Sequence, residues 1–499
     1  MEADILIVGG GINGVGIARD AAGRGLAVVL VEQADLGSAT SSASSKLVHG
    51  GLRYLEQLEL RLVAESLHER EVLLRAAPHI VRPMRFVMPS DRALRPAWVI
   101  RSGLYLYDWL ARRDTLEASS SVDLARPPYR DSLQPRYRRG YAYSDCWVDD
   151  ARLVIANARA AADLGAQVLT GTRCVEAKRH GPRWRARLSG HAGDIEVRAR
   201  ALVNATGPWV ERFITGAIGE PTAARVKLVQ GSHIVVPRLY EGDHAFILQN
   251  DDRRVVFVYG YEGDTLIGTT DVARGDEPGA CAVSAAEVEY LCRAANRYFA
   301  RQSRPADVKW SYCGVRALVD DGSSNPSKVT RDYLLQIDGG AQRPPLLSVF
   351  GGKITTYRKL AERALEKLRP ALAHMQAPWT AAAVLPGGDV PSRDPESYAR
   401  SLCQRYRALP ERLVRALVQR HGTRAPDILD AAYDTSDLGE HFGADLYARE
   451  VDYFITHEWA RDVEDILWRR TKAGLHITAN GQARLAHYLH GRLHDAAMR

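Results

Sequence analysis

The spacing of apolar positions changes along the chain in ways that separate strands from helices. Residues 5–8 (Ile-Leu-Ile-Val) and 27–31 are short uninterrupted apolar runs, which predict strands buried on both faces. Between them, residues 15–23 read as a helix closed by glycine. Residues 55–77 form a charged stretch that Pro78 stops, predicting a second helix. Leu153, Ala156, Ala160 and Leu164 make a helical stripe ended by Gly165, with Asp149 or Asp150 as its N-cap. Residues 167–169 and 195–197 predict strands leading to Ala201-Leu-Val-Asn-Ala-Thr-Gly207. From 227 to 271 the period shortens to two, in runs at 231–236, 245–248, 255–258 and 265–271. That alternation predicts an antiparallel sheet carrying substrate groups on one face. A buried strand at 346–350 runs straight into a helix whose apolar face is Ile354, Tyr357, Leu360, Ala364 and Leu368. Beyond the loop Leu385-Pro-Gly-Gly-Asp389 the chain reads as short amphipathic helices.

The first strand, helix and second strand form a βαβ unit with chemistry at its turn. Gly9, Gly11 and Gly14 space as G-x-G-x-x-G, and Glu32 closes the second strand. The first glycine permits the tight turn, the second lets backbone approach a pyrophosphate, and the third lets helix and strand pack closely. Free N–H groups at the helix start favour the pyrophosphate charge. Glu32 is placed to accept from ribose hydroxyls and to repel a 2′-phosphate, disfavouring NADP. This motif alone does not separate FAD from NAD. Ala205-Thr206-Gly207, at the end of a later strand, predicts a second turn against a dinucleotide and favours FAD.

Length and composition narrow the class. The chain has 499 residues, enough for two or three domains, with 46% hydrophobic and 25% charged residues and a formal net charge of +7. The charge fits an anionic membrane surface, an anionic substrate or nucleic acid. The six cysteines form no C-x-x-C pair, so neither zinc nor an iron–sulfur cluster is expected, no metal is expected, and the cysteines read as scattered reduced thiols. The N-terminus has no signal-peptide pattern and no apolar run is long enough to span a bilayer. Any membrane contact is expected to be peripheral. Residues 94–113 mix Trp98, Tyr105, Tyr107 and Trp109 with arginines, which fits either a core-packed helix or a membrane-interface segment.

A serine-rich stretch normally reads as a linker. Here Thr40-Ser-Ser-Ala-Ser-Ser-Lys46 is followed by His49-Gly-Gly-Leu-Arg-Tyr54, and hydroxyls, glycines, His, Arg and Tyr together suit a cofactor and an anionic, hydroxyl-bearing ligand. These stretches, with Gly314-Val-Arg-Ala-Leu318 and Gly351-Gly-Lys-Ile-Thr355, resemble the respiratory FAD-dependent glycerol-3-phosphate dehydrogenases of the D-amino-acid-oxidase-like flavoprotein superfamily. Two departures are Ala317, where that family has proline, and Tyr259-Gly260-Tyr261, where it has a Pro-Trp pair.

The resemblance implies an α/β fold. It would have an FAD-binding Rossmann-like domain (1–77, 145–215, 331–385), an inserted antiparallel-sheet substrate domain (78–144, 216–330) and a C-terminal helical domain (386–499). It also implies non-covalent FAD, oxidation of sn-glycerol 3-phosphate to dihydroxyacetone phosphate, and electron transfer to a membrane quinone. The protein would sit peripherally on the cytoplasmic side of the cell membrane, and a homodimer is compatible. Expected FAD contacts are Gly9, Gly11, Asn13, Gly14, Glu32, Thr40, Ser41, Ser45, Lys46, Leu47, Ala205, Thr206, Gly207, Gly351, Gly352, Lys353, Ile354 and Thr355. Arg53 and Tyr54 are expected at the substrate phosphate, with Arg331 as a helper or a structural partner, and His233 and Thr270 also at the substrate. Oxidising a secondary alcohol needs a base for its proton and positive charge for the developing alkoxide. His49 is the expected base, with His233 as rival, and Arg316 and Lys353 supply charge. Alternatives in the same superfamily are an oxygen-using glycerophosphate oxidase and an amine or amino-acid oxidase. A basic nucleic-acid-binding flavoprotein would need a basic stripe with exposed aromatics, which only 94–113 approaches, so no nucleic acid is expected. No catalytic group is expected in the C-terminal domain.

Overall fold

In the computed structural model, Glu2–Val8 pairs in parallel with Val28–Val31 on one side and Gly193–Asn204 on the other. The structure describes residues 1–90, 96–111, 113–191, 193–252, 254–275, 278–320, 332–340 and 343–497, without the side chains of 53, 56, 57, 496 and 497. The main path of this first sheet runs Leu334–Asp338, Leu346–Phe350, Gly193–Asn204, Glu2–Val8, Val28–Val31 and Gln167–Leu169. Its central strands are apolar on both faces because both are covered. Helices Ile12–Gly23, Asp150–Asp163 and Tyr357–Leu368 cover one face. Trp184, Leu188, Phe213 and their neighbours cover the other. Burying each Val or Leu there contributes about 1.5–3 kcal/mol. Gly16 lets the first helix approach the last, since a Cβ there would lie 2.6 Å from the Tyr357 ring.

A second sheet carries the inserted region. Its order is Val272–Ala273, Val226–Val236, Asp264–Gly268, Val255–Tyr261, Ala245–Gln249, Val81–Pro89, Arg139–Val148 and Leu47–Val48, with Trp310–Val319 also pairing Val226–Val236. Pairing is antiparallel except where Ala245–Gln249 meets Val81–Pro89. Arg139–Val148 runs unbroken across the expected 144/145 border, and Leu47–Val48, expected in the FAD domain, pairs with it. The helix expected at 55–77 begins at Leu60, because a 3-10 turn at Leu52–Gln57 ends on Leu58 with φ 58°.

Asp149 caps Asp150–Asp163 as expected, accepting from the Arg152 amide at 3.1 Å. The C-terminal helices enclose their own core around Leu413, Leu417, Val451, Phe454 and Leu485. Buried ion pairs join that core to the first sheet. Arg152 Nη2 donates to Glu458 Oε1 at 2.8 Å, Arg470 Nη2 to Asp35 Oδ1 at 2.8 Å, and Lys472 meets Asp149 at 3.3 Å. Cys281 and Cys313 are joined as a disulfide with Cα atoms 6.0 Å apart, which corrects the expectation of reduced, scattered thiols. Their sequence separation of 32 carries no recognisable spacing.

Candidate active site

The carboxyl ends of the first sheet's strands open onto a cavity of 1340 Å³, which the second sheet closes from the other side. At one end lies the glycine turn. Gly9 has φ 112°, and a Cβ there would lie 2.5 Å from the Ala205 carbonyl; a Cβ on Gly14 would overlap the Gly9 carbonyl. Both positions therefore need glycine, and they hold the two dinucleotide turns against each other. Glu32 accepts from the Gly10 amide at 2.7 Å and the Ala34 amide at 3.0 Å. Burial nevertheless pushes its carboxyl above the usual range. Ser41 Oγ accepts from the Ile12 amide at 3.0 Å, tying the serine-rich stretch to the helix start.

That stretch is ordered by specific partners. Thr40 donates to the Val315 carbonyl at 2.6 Å, and Ser44 Oγ to Asp150 at 2.8 Å. Lys46, at φ 53°, directs its ammonium to Asp150 at 2.7 Å and to the Ser42 carbonyl at 3.1 Å. Its charge is thus engaged by the protein, while Thr40, Ser41, Ser45, Lys46 and Leu47 all border the cavity. At the far end Gly351 (φ 78°) and Gly352 (φ 97°) turn the chain into Ile354–Thr356 and the helix behind it. Asn13 Nδ2 donates to the Gly351 carbonyl at 3.2 Å, and its buried Oδ1 has no protein partner.

The expected chemistry converges here. His49, Tyr54, His233, Arg316, Lys353 and Thr355 all border the cavity. His49 is half-buried; desolvation, then the Lys353 charge, hold its imidazole down at about 3. Lys353 Nζ donates to Ser66 Oγ at 2.7 Å and lies 5.1 Å from the Tyr54 ring centre. Arg316 Nη2 donates to the Thr270 carbonyl at 3.1 Å and to Asp271 at 2.5 Å. His233 is more confined. Its ring stacks on Tyr312 at 4.7 Å, its Nε2 is 2.9 Å from Ser45 Oγ, and its buried Nδ1 has no protein partner. Burial, then Lys46 and Arg316, hold it well below the usual histidine range.

One expected residue points elsewhere. The Thr270 hydroxyl donates to Glu287 at 2.8 Å and accepts from the Ser232 amide at 3.0 Å, behind the sheet; Thr269 and Asp271 border the cavity instead. The side chain of Arg53, and Arg331 altogether, lie outside the described residues. Sequence reasoning also missed an aromatic wall. Trp310 and Tyr312 lie on the Arg316 face, and Trp310 stacks on Trp468 at 4.4 Å. The two-residue alternation Trp310, Tyr312, Gly314, Arg316 was the available signal. Trp468 and Arg469 border the cavity too, so the C-terminal region contributes to its wall.

The paired turns at the helix start fit a long dinucleotide with an anionic middle, and the orphaned Asn13 oxygen is an acceptor open to a donor group of such a ligand. The family described as FAD dependent oxidoreductase matches residues 4–358. That described as the C-terminal domain of alpha-glycerophosphate oxidase matches residues 379–489. The chain is 53% identical to a glycerol-3-phosphate dehydrogenase of Pseudomonas aeruginosa, covering 97% of this chain and 94% of that one. It is 48% identical to the aerobic glycerol-3-phosphate dehydrogenase of Escherichia coli, covering 97% of each. It is 49% identical to the D-erythritol 1-phosphate dehydrogenase of Brucella abortus, covering 95% of each. Among solved structures, a glycerol-3-phosphate dehydrogenase from Bacillus halodurans complexed with FAD superposes with TM-score 0.73 at 26% identity, covering 95% of this chain and 86% of that one. With the glycine cradle, the second turn and both matched regions in sequence order, the chain belongs to the FAD-dependent oxidoreductases that carry the alpha-glycerophosphate oxidase C-terminal domain.

Proposed function

We propose that the protein oxidises sn-glycerol 3-phosphate to dihydroxyacetone phosphate and passes the electrons to a membrane quinone. The observation that carries this reading is the meeting of His49, Arg316 and Lys353 in the cavity that also holds the dinucleotide cradle. FAD, when bound, supplies the hydride acceptor. His49, neutral well below pH 7 because its pKa is held down, takes the proton of the C2 hydroxyl. Arg316, oriented by Asp271, and Lys353, oriented by Ser66, stabilise the developing alkoxide. The aromatic wall of Trp310 and Tyr312 excludes water. Arg53 and Tyr54 hold the phosphate, for which guanidinium geometry is suited.

Membrane contact is assigned to helix Ala97–Trp109. Ile100, Leu104 and Tyr107 face inward, while Trp98, Tyr105 and Trp109 are 72%, 74% and 74% exposed. Among the described residues no helix is long and apolar enough to cross a membrane. The protein on this reading docks peripherally on the cytoplasmic face of the cell membrane.

The Brucella abortus relative supports a second substrate, D-erythritol 1-phosphate. The test is anaerobic bleaching of the flavin spectrum by each polyol phosphate, followed by reoxidation with a quinone analogue or with oxygen. Bleaching by glycerol 3-phosphate and preferential reoxidation by quinone are expected. Faster bleaching by D-erythritol 1-phosphate would reassign the substrate, and preferential reoxidation by oxygen would overturn the quinone role. In His49→Asn, bleaching slows by at least about 10²-fold with FAD retained. A near-normal rate there, with a large loss in His233→Asn, would transfer the base to His233.

A further inference from the structure

Helix Ala97–Trp109 has an inward side chain that reaches the loop carrying His49. Tyr107 is buried between the exposed Tyr105 and Trp109, and its hydroxyl accepts from the Gly50 amide at 2.8 Å. The same hydroxyl donates to Asp145, with oxygens at 2.7 and 2.9 Å. Asp145 is paired in turn with buried Arg70 at 2.6 Å. Burial alone would pull the Arg70 guanidinium down, but the Asp145 charge holds it above its ordinary value, while burial pushes the Asp145 carboxyl up against the pull of Arg70. The Gly50 amide is one peptide beyond His49, and Gly51 follows at φ 77°. A Cβ on Gly50 would lie 2.5 Å from the Tyr107 hydroxyl, so the contact is built into the turn.

We propose that Tyr107, backed by Asp145 and Arg70, is a positioning residue that fixes the His49 imidazole by clamping the Gly50 amide. The inference rests on the functional reading above. Neither Tyr107 nor Asp145 borders the cavity, so the effect runs through backbone. Without the hydroxyl, the Gly50 amide keeps only a 3.4 Å approach to Asp145, and the imidazole can drift by a fraction of an ångström. Misplacement of about 1 Å costs on the order of 10²-fold in rate.

The test is rapid anaerobic mixing of FAD-loaded protein with glycerol 3-phosphate. Tyr107→Phe retains ring packing and the Arg70–Asp145 pair. Ile100→Val, which removes one methyl from the same helix interface, is the control. Tyr107→Phe should slow the limiting rate of flavin reduction by about 10- to 10²-fold, with FAD content and the half-saturating substrate concentration unchanged, while Ile100→Val reduces at the wild-type rate. A wild-type limiting rate in Tyr107→Phe overturns the proposal, as does equal slowing in both variants, which would mean loose helix docking. A wild type that glycerol 3-phosphate does not bleach defeats the functional reading, and the positioning role with it. That result is distinct from a bleaching wild type with an unaffected Phe variant.

Discussion

Replacing Asp35 by asparagine should loosen the C-terminal domain and the cofactor together. Asp35 lies three residues beyond Glu32, in the loop that follows the second strand. Its Oδ2 accepts from Arg469 Nε at 2.5 Å and from Arg470 Nη1, and its Oδ1 from Arg470 Nη2 at 2.8 Å. The Arg470 side chain is fully buried. Its Nη2 also donates to the Glu458 carbonyl. Breaking a buried pair by removing one charge costs about 3–5 kcal/mol, because the remaining charge stays out of water. Asparagine keeps one acceptor oxygen, so the lower end applies, about 3 kcal/mol, or roughly 10²-fold in the docking equilibrium of the C-terminal helices. Because the two regions have separate cores, urea unfolding should be followed by both tryptophan and flavin fluorescence rather than by one probe. The expected result is an earlier transition that releases FAD. Adding Arg470→Met to Asp35→Asn should recover part of the loss, giving a coupling above about 1 kcal/mol in a double-mutant cycle. Strict additivity of the two substitutions, or an unmoved FAD-release midpoint in Asp35→Asn, would refute the reasoning.

Three further outcomes follow from the geometry. Burial and, after it, the Lys353 charge hold the His49 pKa at about 3; Lys353→Met removes the second influence, so the acid limb of anaerobic flavin reduction should move to higher pH while burial keeps it below 6.5, and an unmoved limb would separate Lys353 from His49. Cys281→Ser, by opening a loop with sequence separation 32, should cost the oxidised protein about 2–4 kcal/mol, read as a lower urea midpoint that a dithiol no longer shifts. Trp98→Ala with Trp109→Ala should lower binding to anionic vesicles roughly tenfold, and salt should weaken the remainder; sedimentation unaffected by both changes would remove this helix from the membrane contact.

Much of the cofactor end was legible because its determinants are local. The G-x-G-x-x-G spacing and the Asp149 cap are each read within a few residues, and Glu32 directly follows the second strand. The substrate end was less so. Thr270 is expected at the substrate on the resemblance, but regular pairing of that strand stops at Gly268, and Thr269 and Asp271 take the cavity face. Trp310 meets Trp468 across more than one hundred and fifty residues, a contact that neither periodicity nor spacing encodes. The start of helix Leu60–Ala76 shifted because Leu58 takes a left-handed backbone that its residue type does not announce. The clamp on Gly50 was hidden for the same reason as the tryptophan stack, since Tyr107, Asp145 and Gly50 meet only after the second sheet forms.

The strand order of the first sheet also sets a timetable for synthesis. Glu2–Val8 emerges first but has no parallel neighbour beyond Val28–Val31 until Gly193–Asn204 is made, and the sheet's far side waits for Leu346–Phe350. At ~5–20 residues per second the first strand is out roughly 20–70 s before the sheet can close. The cover of one face is also late in part, since the helix Tyr357–Leu368 that packs on the first helix comes later still. Until each partner strand is made, the edge of Glu2–Val8 that Gly193–Asn204 will pair, and later the edge of Gly193–Asn204 that Leu346–Phe350 will pair, are open strand edges of the kind that invite non-native pairing. The cavity is lined by residues from Val8 to Arg469, so it is complete only when nearly the whole polypeptide has been made.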